Sequence, residues 1–340
     1  MLKNKFNKIY DDIKEYIKEN YLFLIFLILF AVVMNIRVPY YIFSGGGVQD
    51  LSKRFELKEE YETKGSYNLS YVTELRGTVL SYGLSYIIPD WERVKVSNYQ
   101  INENESLEEL SLRNKIDLDH ANQTAINLAY SKAGKTFTIK EEKYYIYYII
   151  ENTDTELKVG DRILEVDGKK INNLDEIASA ISNKKENDEV SVKVLRDEKE
   201  KTVKSKIKIE DNKALLGISL IVLYDYETNP KIELKFKENE SGSSAGLMLT
   251  LAIYDALIEE DLTNGRKIAG TGTISSDGTV GAIGGVRYKL MGAEKKNADI
   301  FIVPIGENYE ECIKLKEEKG YDIEVIGVST FDEAITSLKK

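Results

Sequence analysis

The sequence predicts an α+β protein in three successive parts: an N-terminal transmembrane helix, a β-rich module and a mixed α/β domain. Three observations carry that expectation. Tyr21–Met34 is an unbroken apolar run; residues 50 to 115 alternate apolar and polar positions and 139 to 209 read as short strands around one helix; and from Ala214 onward strand-like and helix-like clusters take turns.

With 340 residues, 42% hydrophobic and 31% charged, the chain can build two ordinary domains, each with its own core. A net charge of −10 and a pI near 5.1 argue against a nucleic-acid partner, because phosphates need a positive surface. The single cysteine, Cys312, excludes an internal disulfide and is expected as a buried small hydrophobe without a chemical role. One histidine and one cysteine make no zinc set, and no compact oxygen-rich loop suits calcium, so neither metal nor cofactor is expected.

The apolar run is shorter than the ~20 residues a bilayer asks for. Extending it to Phe43 supplies the length and takes in Asn35, Arg37 and Pro39, which an interface tolerates. A transmembrane helix over residues 21–43 is therefore expected, with membrane lipid as its partner. Lys3, Lys5, Lys8, Lys14 and Lys18 precede it and only Arg37 closely follows, which places the 1–20 leader in the cytoplasm and the rest outside. Ser44-Gly-Gly-Gly47 admits two readings, a signal-peptide cleavage site or a juxtamembrane hinge; the charged leader is long for a signal peptide.

Residues 44–133 form the next segment. Tyr67–Val72 and Thr78–Ile87 alternate as strands do, and Leu118–Ala133 carries Ala121, Ala125, Leu128 and Ala129 at helical spacing. Residues 134–212 read as short strands at Tyr144–Ile150, Arg162–Val166 and Val190–Arg196 around a helix at Leu174–Ile181. Within them, Leu157-Lys-Val-Gly-Asp-Arg-Ile-Leu-Glu-Val-Asp-Gly-Lys-Lys-Ile171 resembles the strand and turn signature of PDZ domains. Asp161 is expected to cap the turn and Gly168 to supply a positive φ, both structural tasks. PDZ domains capture a peptide carboxylate with a glycine-containing loop before the groove strand, and Lys135–Tyr145 contains no glycine. Peptide binding by strand addition remains the expectation, without carboxylate specificity.

Residues 213–340 alternate strands and helices: Leu215–Tyr224, Ile232–Phe236, Ala245–Ile258, Gly270–Thr273, Val286–Lys296, Ile300–Pro304, Glu310–Lys316, Ile323–Val328 and Phe331–Ser337. The helix after Glu240-Ser-Gly-Ser-Ser-Ala-Gly-Leu247 is apolar on most faces, so it should be buried with Ser244 near its head. A serine there has two readings. It is a favoured N-cap; it also lies at the positive end of the helix dipole, beside the N–H groups of Gly242, Ser243 and Ser244, which suit an oxyanion hole. A serine nucleophile needs a base. His120, in the polar Asp117–Asn122 stretch, lacks a recognisable partner, whereas Lys289 follows the apolar Val280–Val286. Burial would draw that amine from ~10.4 toward neutrality and fit it for proton transfer.

Ser244-Ala-Gly246, Thr271-Gly-Thr-Ile274 and Ile283-Gly-Gly-Val-Arg-Tyr-Lys289 together resemble, in order and spacing, the proteolytic domain of Lon proteases. The likeness runs from about 214 to 335 and includes Ala298–Pro304. It implies Ser244 as nucleophile, Lys289 as general base and acid, and Thr271 as the residue that orients Lys289. Two positions depart from the family pattern: Ser243 stands where Pro is usual, and Ser241 where an acidic residue is common. Leu118–Tyr130 also resembles a helix that precedes the serine in Lon domains, which implies that the PDZ module is inserted into the protease. Gly134-Lys-Thr136 has Ala129 where a phosphate-binding loop needs its first glycine, so no ATP is expected.

An anchor, a PDZ module and a Lon-type domain in this order resemble the anchored PDZ/Lon serine proteases of Gram-positive bacteria, some of which process exported peptide pheromones. The resemblance implies an ATP-independent endopeptidase with an extracytoplasmic catalytic domain, acting on exported peptides or flexible protein segments. The alternative is a membrane-tethered PDZ scaffold with an inactive protease domain. A different Ser/Lys hydrolase, such as a signal peptidase or amidase, would lack the Thr-Gly and Ile-Gly-Gly context.

Overall fold

The computed structural model describes residues 2–101, 104–236 and 240–339. The side chains of residues 2–9 and 11, those of Lys3, Lys5 and Lys8 among them, lie outside the described residues. The chain opens with α1 (Leu2–Met34), β1 (Arg37–Asp50), β2 (Phe55–Leu57), β3 (Ser66–Thr78), α2 (Val79–Leu84), β4 (Glu92–Lys95) and α3 (Leu107–Lys132). There follow β5 (Thr136–Ile149), β6 (Arg162–Val166), β7 (Lys169–Lys170), α4 (Leu174–Ile181), β8 (Glu189–Arg196), β9 (Lys199–Lys206), β10 (Lys208–Glu210), β11 (Lys213–Leu215) and β12 (Ile218–Asn229). The last part holds β13 (Ile232–Leu234), α5 (Gly246–Leu257), β14 (Lys267–Gly270), β15 (Thr273–Ile274), β16 (Val280–Gly281), α6 (Val286–Lys295), β17 (Ile300–Pro304), α7 (Glu307–Lys319), β18 (Glu324–Val328) and α8 (Phe331–Leu338).

Two compact units divide the chain: Met1–Ser44 with Thr73–Tyr99, and Gly45–Val72 with Gln100–Lys340. In the first unit, α1 is kinked at Asn20 and contains one stretch, Asp12–Met34, long and apolar enough to cross a membrane. The helix stops earlier than Phe43. Asn35 turns its amide back onto the Ala31 carbonyl, and Val38-Pro39 lies in extended β1, where Pro39 could not have continued a helix. β1 then pairs antiparallel with β4, Tyr40 opposite Lys95 and Phe43 opposite Glu92. The alternation at Thr78–Ile87 predicted a strand, but Thr78 and Ser81 close a reciprocal capping box and the backbone turns into α2.

In the second unit, a mostly parallel sheet carries the order β18-β17-β14-β3-β1. β3 lies parallel to β14, with Tyr67 opposite Ile268, so a strand from before residue 133 sits beside one made after residue 213. Alternate residues of each strand serve the two faces. Ile268, Ile300 and Ile302 point into a core shared with α3 and α5; Ala269, Phe301 and Val303 point into one shared with α6 and α7. α3 starts well before the expected Leu118, at a second capping box formed by Ser106 and Glu109. Cys312 is fully buried in the α6–α7 core, where burial pushes its thiol up to about 12.

A second sheet has the order β12-β5-β6-β8-β9, with α4 packed through Ile177 and Ile181 into its own core. Asp161 accepts from the Lys158 N–H and is bridged by Arg196 at 2.6 and 2.7 Å, and Gly168 follows Asp167 at positive φ, as the turn requires. β12 belongs to this sheet, pairing with β5 over its whole length, and not to the strand and helix alternation that follows it.

Candidate active site

α5, which follows Ser244, and α6, which carries Lys289, pack on opposite faces of the parallel sheet, and they meet where β14 ends. Thr271 follows Gly270 directly, at the carboxyl end of that strand, which in open α/β sheets is where ligand crevices form. The Thr271 N–H donates to the Ile302 carbonyl, Gly272 N–H to the Ser244 carbonyl, and Leu247 N–H to the Gly272 carbonyl. These bonds hold the serine turn against the strand end. Glu240, at the start of that turn, is ion-paired with the buried Arg54, which also donates to the Lys235 carbonyl.

Ser244 does not cap α5. The N-cap position falls on Ala245, in helical conformation, with no side-chain cap. The serine hydroxyl instead lies 2.9 Å from Lys289 Nζ. Lys289 Nζ is also 3.0 Å from Thr271 Oγ1, which in turn donates to the Ser244 carbonyl at 3.1 Å. With its proton given to that carbonyl, the threonine oxygen is left to accept from the lysine, and this fixes the direction of the amine. Lys289 is 4% exposed, and burial brings its pKa from the ordinary 10.5 down to about 7. Its place in the first turn of α6 follows from Gly285, whose φ of 66° starts the helix abruptly.

The two expected oxyanion residues differ. Gly242 N–H is already donated to the Asn114 carbonyl of α3, so it is committed to holding the loop. Among the described residues no bond engages the N–H of Ser243, which stays open beside the Ser244 hydroxyl together with the N–H of Ser244. His120 lies on α3 beside Asp117, is not among the hydrogen-bonding partners of Ser244, and has its pKa lowered by burial.

Ser44-Gly-Gly-Gly47 is not a loop; all four residues lie inside β1. In the second unit α6 presses on this strand: a Cβ on Gly292 would come within 3.0 Å of Gly47 Cα, and one on Gly46 would strike the Tyr71 carbonyl. The glycines let the helix that carries Lys289 sit down on the sheet.

The second sheet offers another site that the sequence reading missed. Lys135–Tyr145 leads into β5, an interior strand, whereas the free edge is β12. The turn before β12 does hold a glycine, Gly217, at φ 67°. Because Ile150 N–H donates to the Gly217 carbonyl, alternation along the ladder turns the Ile218 N–H to the open edge. At the other end Gln123 of α3 closes the edge with two bonds to the Tyr224 backbone, at 2.8 and 3.0 Å. The signal was Leu215-Leu-Gly-Ile218, a glycine between apolar residues ahead of an alternating strand. Past Tyr224 a cleft of about 400 Å³ opens between α3, β12 and Phe236.

Two stretches of the chain match known protein families. Residues 133–207 match the PDZ domain family, and residues 237–339 match the Lon protease (S16) C-terminal proteolytic domain. The Lon protease of Mycoplasma mobile is 31% identical over 118 residues, covering 34% of this chain and 14% of that protein. Lon protease 2 of Bacillus subtilis is 34% identical over 97 residues, 28% of this chain and 16% of that protein. The chain thus spans only about a seventh of the length of such relatives. The crystal structure of the PDZ domain of an SdrC-like protein from Listeria monocytogenes is 22% identical, covers 25% of this chain and 93% of that one, and superposes with a TM-score of 0.23. The chain is therefore a mixed α/β protein with an N-terminal apolar helix, a PDZ domain over residues 133–207 and a Lon-type C-terminal proteolytic domain over residues 237–339.

Proposed function

We propose that this chain is a membrane-anchored serine endopeptidase that works without ATP through a Ser244/Lys289 dyad oriented by Thr271. The observation that carries the reading is a buried amine with a pKa of about 7, placed 2.9 Å from the serine hydroxyl. Neutral Lys289 accepts the Ser244 proton as Oγ bonds to the scissile carbonyl carbon. The carbonyl oxygen takes up the negative charge beside the open N–H groups of Ser243 and Ser244. Lys289 then passes its proton to the leaving amine as the C–N bond breaks. Water, giving a proton to Lys289, attacks the acyl ester, and the return of that proton to Ser244 Oγ frees the acid. Thr271 touches both partners and keeps the amine lone pair on the serine.

The edge of β12 gives an extended peptide three residues to pair with, Ile218, Leu220 and Val222, before Gln123 ends the ladder. The open N–H groups in the turn at Gly217 suit a terminal carboxylate, so the preference for a free C-terminus left out by the sequence reading enters here. Without a motor, substrates are flexible: small exported peptides or unstructured tails outside the cytoplasm, with α1 as the anchor and the PDZ domain inserted in the protease. The test compares wild type with Ser244→Ala and Lys289→Ala on a flexible secreted peptide by mass spectrometry. Both variants are expected to leave it whole, and unchanged hydrolysis in either would refute the dyad.

A further inference from the structure

In the first unit, residues 77–88 (Gly-Thr-Val-Leu-Ser-Tyr-Gly-Leu-Ser-Tyr-Ile-Ile) carry no charge in a chain that is 31% charged, and they turn their apolar side chains outward. Leu80 is 47% exposed, Leu84 36%, Tyr86 66% and Ile87 78%. The polar groups of this tip are satisfied from within. Thr78 and Ser81 cap each other, Ser85 Oγ donates to the Tyr82 carbonyl, Arg93 donates to the Ser85 carbonyl and hydroxyl, and the N–H groups of Ile87 and Ile88 both reach the Leu84 carbonyl. A surface with its backbone closed on itself and its apolar side chains free is suited to hydrocarbon and ill suited to water.

Its position names the occupant. The first residue of α2, Val79, donates its N–H to the carbonyl of Ile36, two residues past the end of α1. The tip is thus tied to the point where the apolar helix ends. Tyr40, Tyr82 and Tyr86 form a contiguous cluster, with centroids 4.9 and 5.7 Å apart, and the Arg93 guanidinium lies 3.9 Å over Tyr86. Tyrosines and a stacked arginine are what a bilayer interface favours.

We infer that the α2 tip is a second membrane contact, dipping Leu84, Tyr86 and Ile87 into the leaflet from which α1 emerges. The inference rests on α1 being a membrane anchor, and it adds a second point of attachment that one helix cannot provide. The ligand class is a neutral lipid surface, since the tip brings no basic cluster of its own.

The single tryptophan, Trp91, follows the tip and reports on it. The full chain is reconstituted in phosphatidylcholine vesicles, recovered by flotation, and its Trp91 emission compared in ordinary lipid and in lipid brominated near the glycerol end of the acyl chains. Brominated lipid is expected to remove most of the emission. Ile87→Glu combined with Leu84→Glu is expected to restore it while the chain still floats; Ile305→Glu, at an isoleucine of the other unit that is 61% exposed, is expected to change nothing. A chain that floats with Trp91 unquenched overturns the inference and leaves the anchor standing. Flotation with Trp91 shielded from both bromolipid and aqueous iodide, alongside a cross-linked dimer, would assign the tip to a second copy and overturn it as well. Failure to float removes the anchor, and the inference with it.

Discussion

Gly292 of α6 rests on Gly47 of β1 so closely that a Cβ on Gly292 would lie 3.0 Å from the Gly47 Cα and N. α6 carries Lys289 one turn earlier, so this contact bears on the height of the Lys289 amine above the sheet. Gly292→Val is expected to overpack the contact at a cost of about 1–3 kcal/mol and to lower kcat with Ser244, Thr271 and Lys289 all intact. Thermal denaturation and kinetics on one flexible peptide check both effects. A variant with normal kcat would mean that α6 is positioned by something else.

The amine must be neutral to act as base. With its pKa at about 7, kcat/KM is expected to rise with pH through neutrality along a single-proton limb. Lys289→Arg keeps a charge at every working pH and should be inactive throughout. Stability moves the same way. The folded pKa lies below the unfolded value of 10.5, so the folded protein binds fewer protons and gains stability as pH rises from about 7 toward 10.5. At neutral pH the burial costs about 5 kcal/mol by that difference, and Lys289→Met should raise Tm while abolishing turnover.

Thr271→Ala removes the acceptor that turns the amine and the donor to the Ser244 carbonyl, each a single bond. The loss expected in kcat is on the order of ten- to a hundredfold, and Thr271→Ser, which retains the hydroxyl, should recover most of it. A Ser variant as poor as the Ala variant would argue against a hydrogen-bonding role.

A buried carboxyl gives a pH response of opposite sign. Asp255, near the end of α5, is 1% exposed, accepts from the Leu262 N–H at 2.9 Å, and burial raises its pKa to about 7. Since the folded value lies above the unfolded 3.8, its contribution is full below pH 4 and is lost as pH climbs to about 7. Asp255→Asn keeps the acceptor and sheds the charge. Its Tm should gain on wild type as pH rises from 4 to 8, and a constant difference across that range would sink the idea.

Gly217 stands at φ 67°, and a Cβ there would come within 2.3 Å of Thr153 Oγ1. Gly217→Val is expected to weaken capture of peptides with a free C-terminal carboxylate by tenfold or more while the dyad still cleaves short untethered peptides. Fluorescence anisotropy with free and amidated peptides separates the effects; equal weakening of both would remove the carboxylate from the account.

Much of the candidate site was legible because it rests on local patterns. A serine in a small-residue turn, a Thr-Gly pair and a lysine after Ile-Gly-Gly each survive as short strings, and the helix and strand that hold them have clear periodicity. What escaped depended on distant partners. Thr78–Ile87 alternates like a strand, yet a capping box outweighs the alternation, and its apolar residues face out. Leu215–Tyr224 looked like the first strand of the second domain because nothing local reveals pairing with β5, some eighty residues upstream. The glycines at 45–47 looked flexible, since their reason, the underside of α6, is written far along the chain. Gly242 looked like an oxyanion donor until α3 supplied its acceptor.

The place of β3 beside β14 bears on how the enzyme comes to life. When β3 has been made, its neighbour still lies nearly two hundred residues ahead, and the module between them can close on its own short-range pairings first. The sheet end that brings serine, threonine and lysine together cannot exist until the last quarter of the polypeptide has arrived. A nascent chain that stops short of α6 therefore lacks the amine on which the proposed dyad depends.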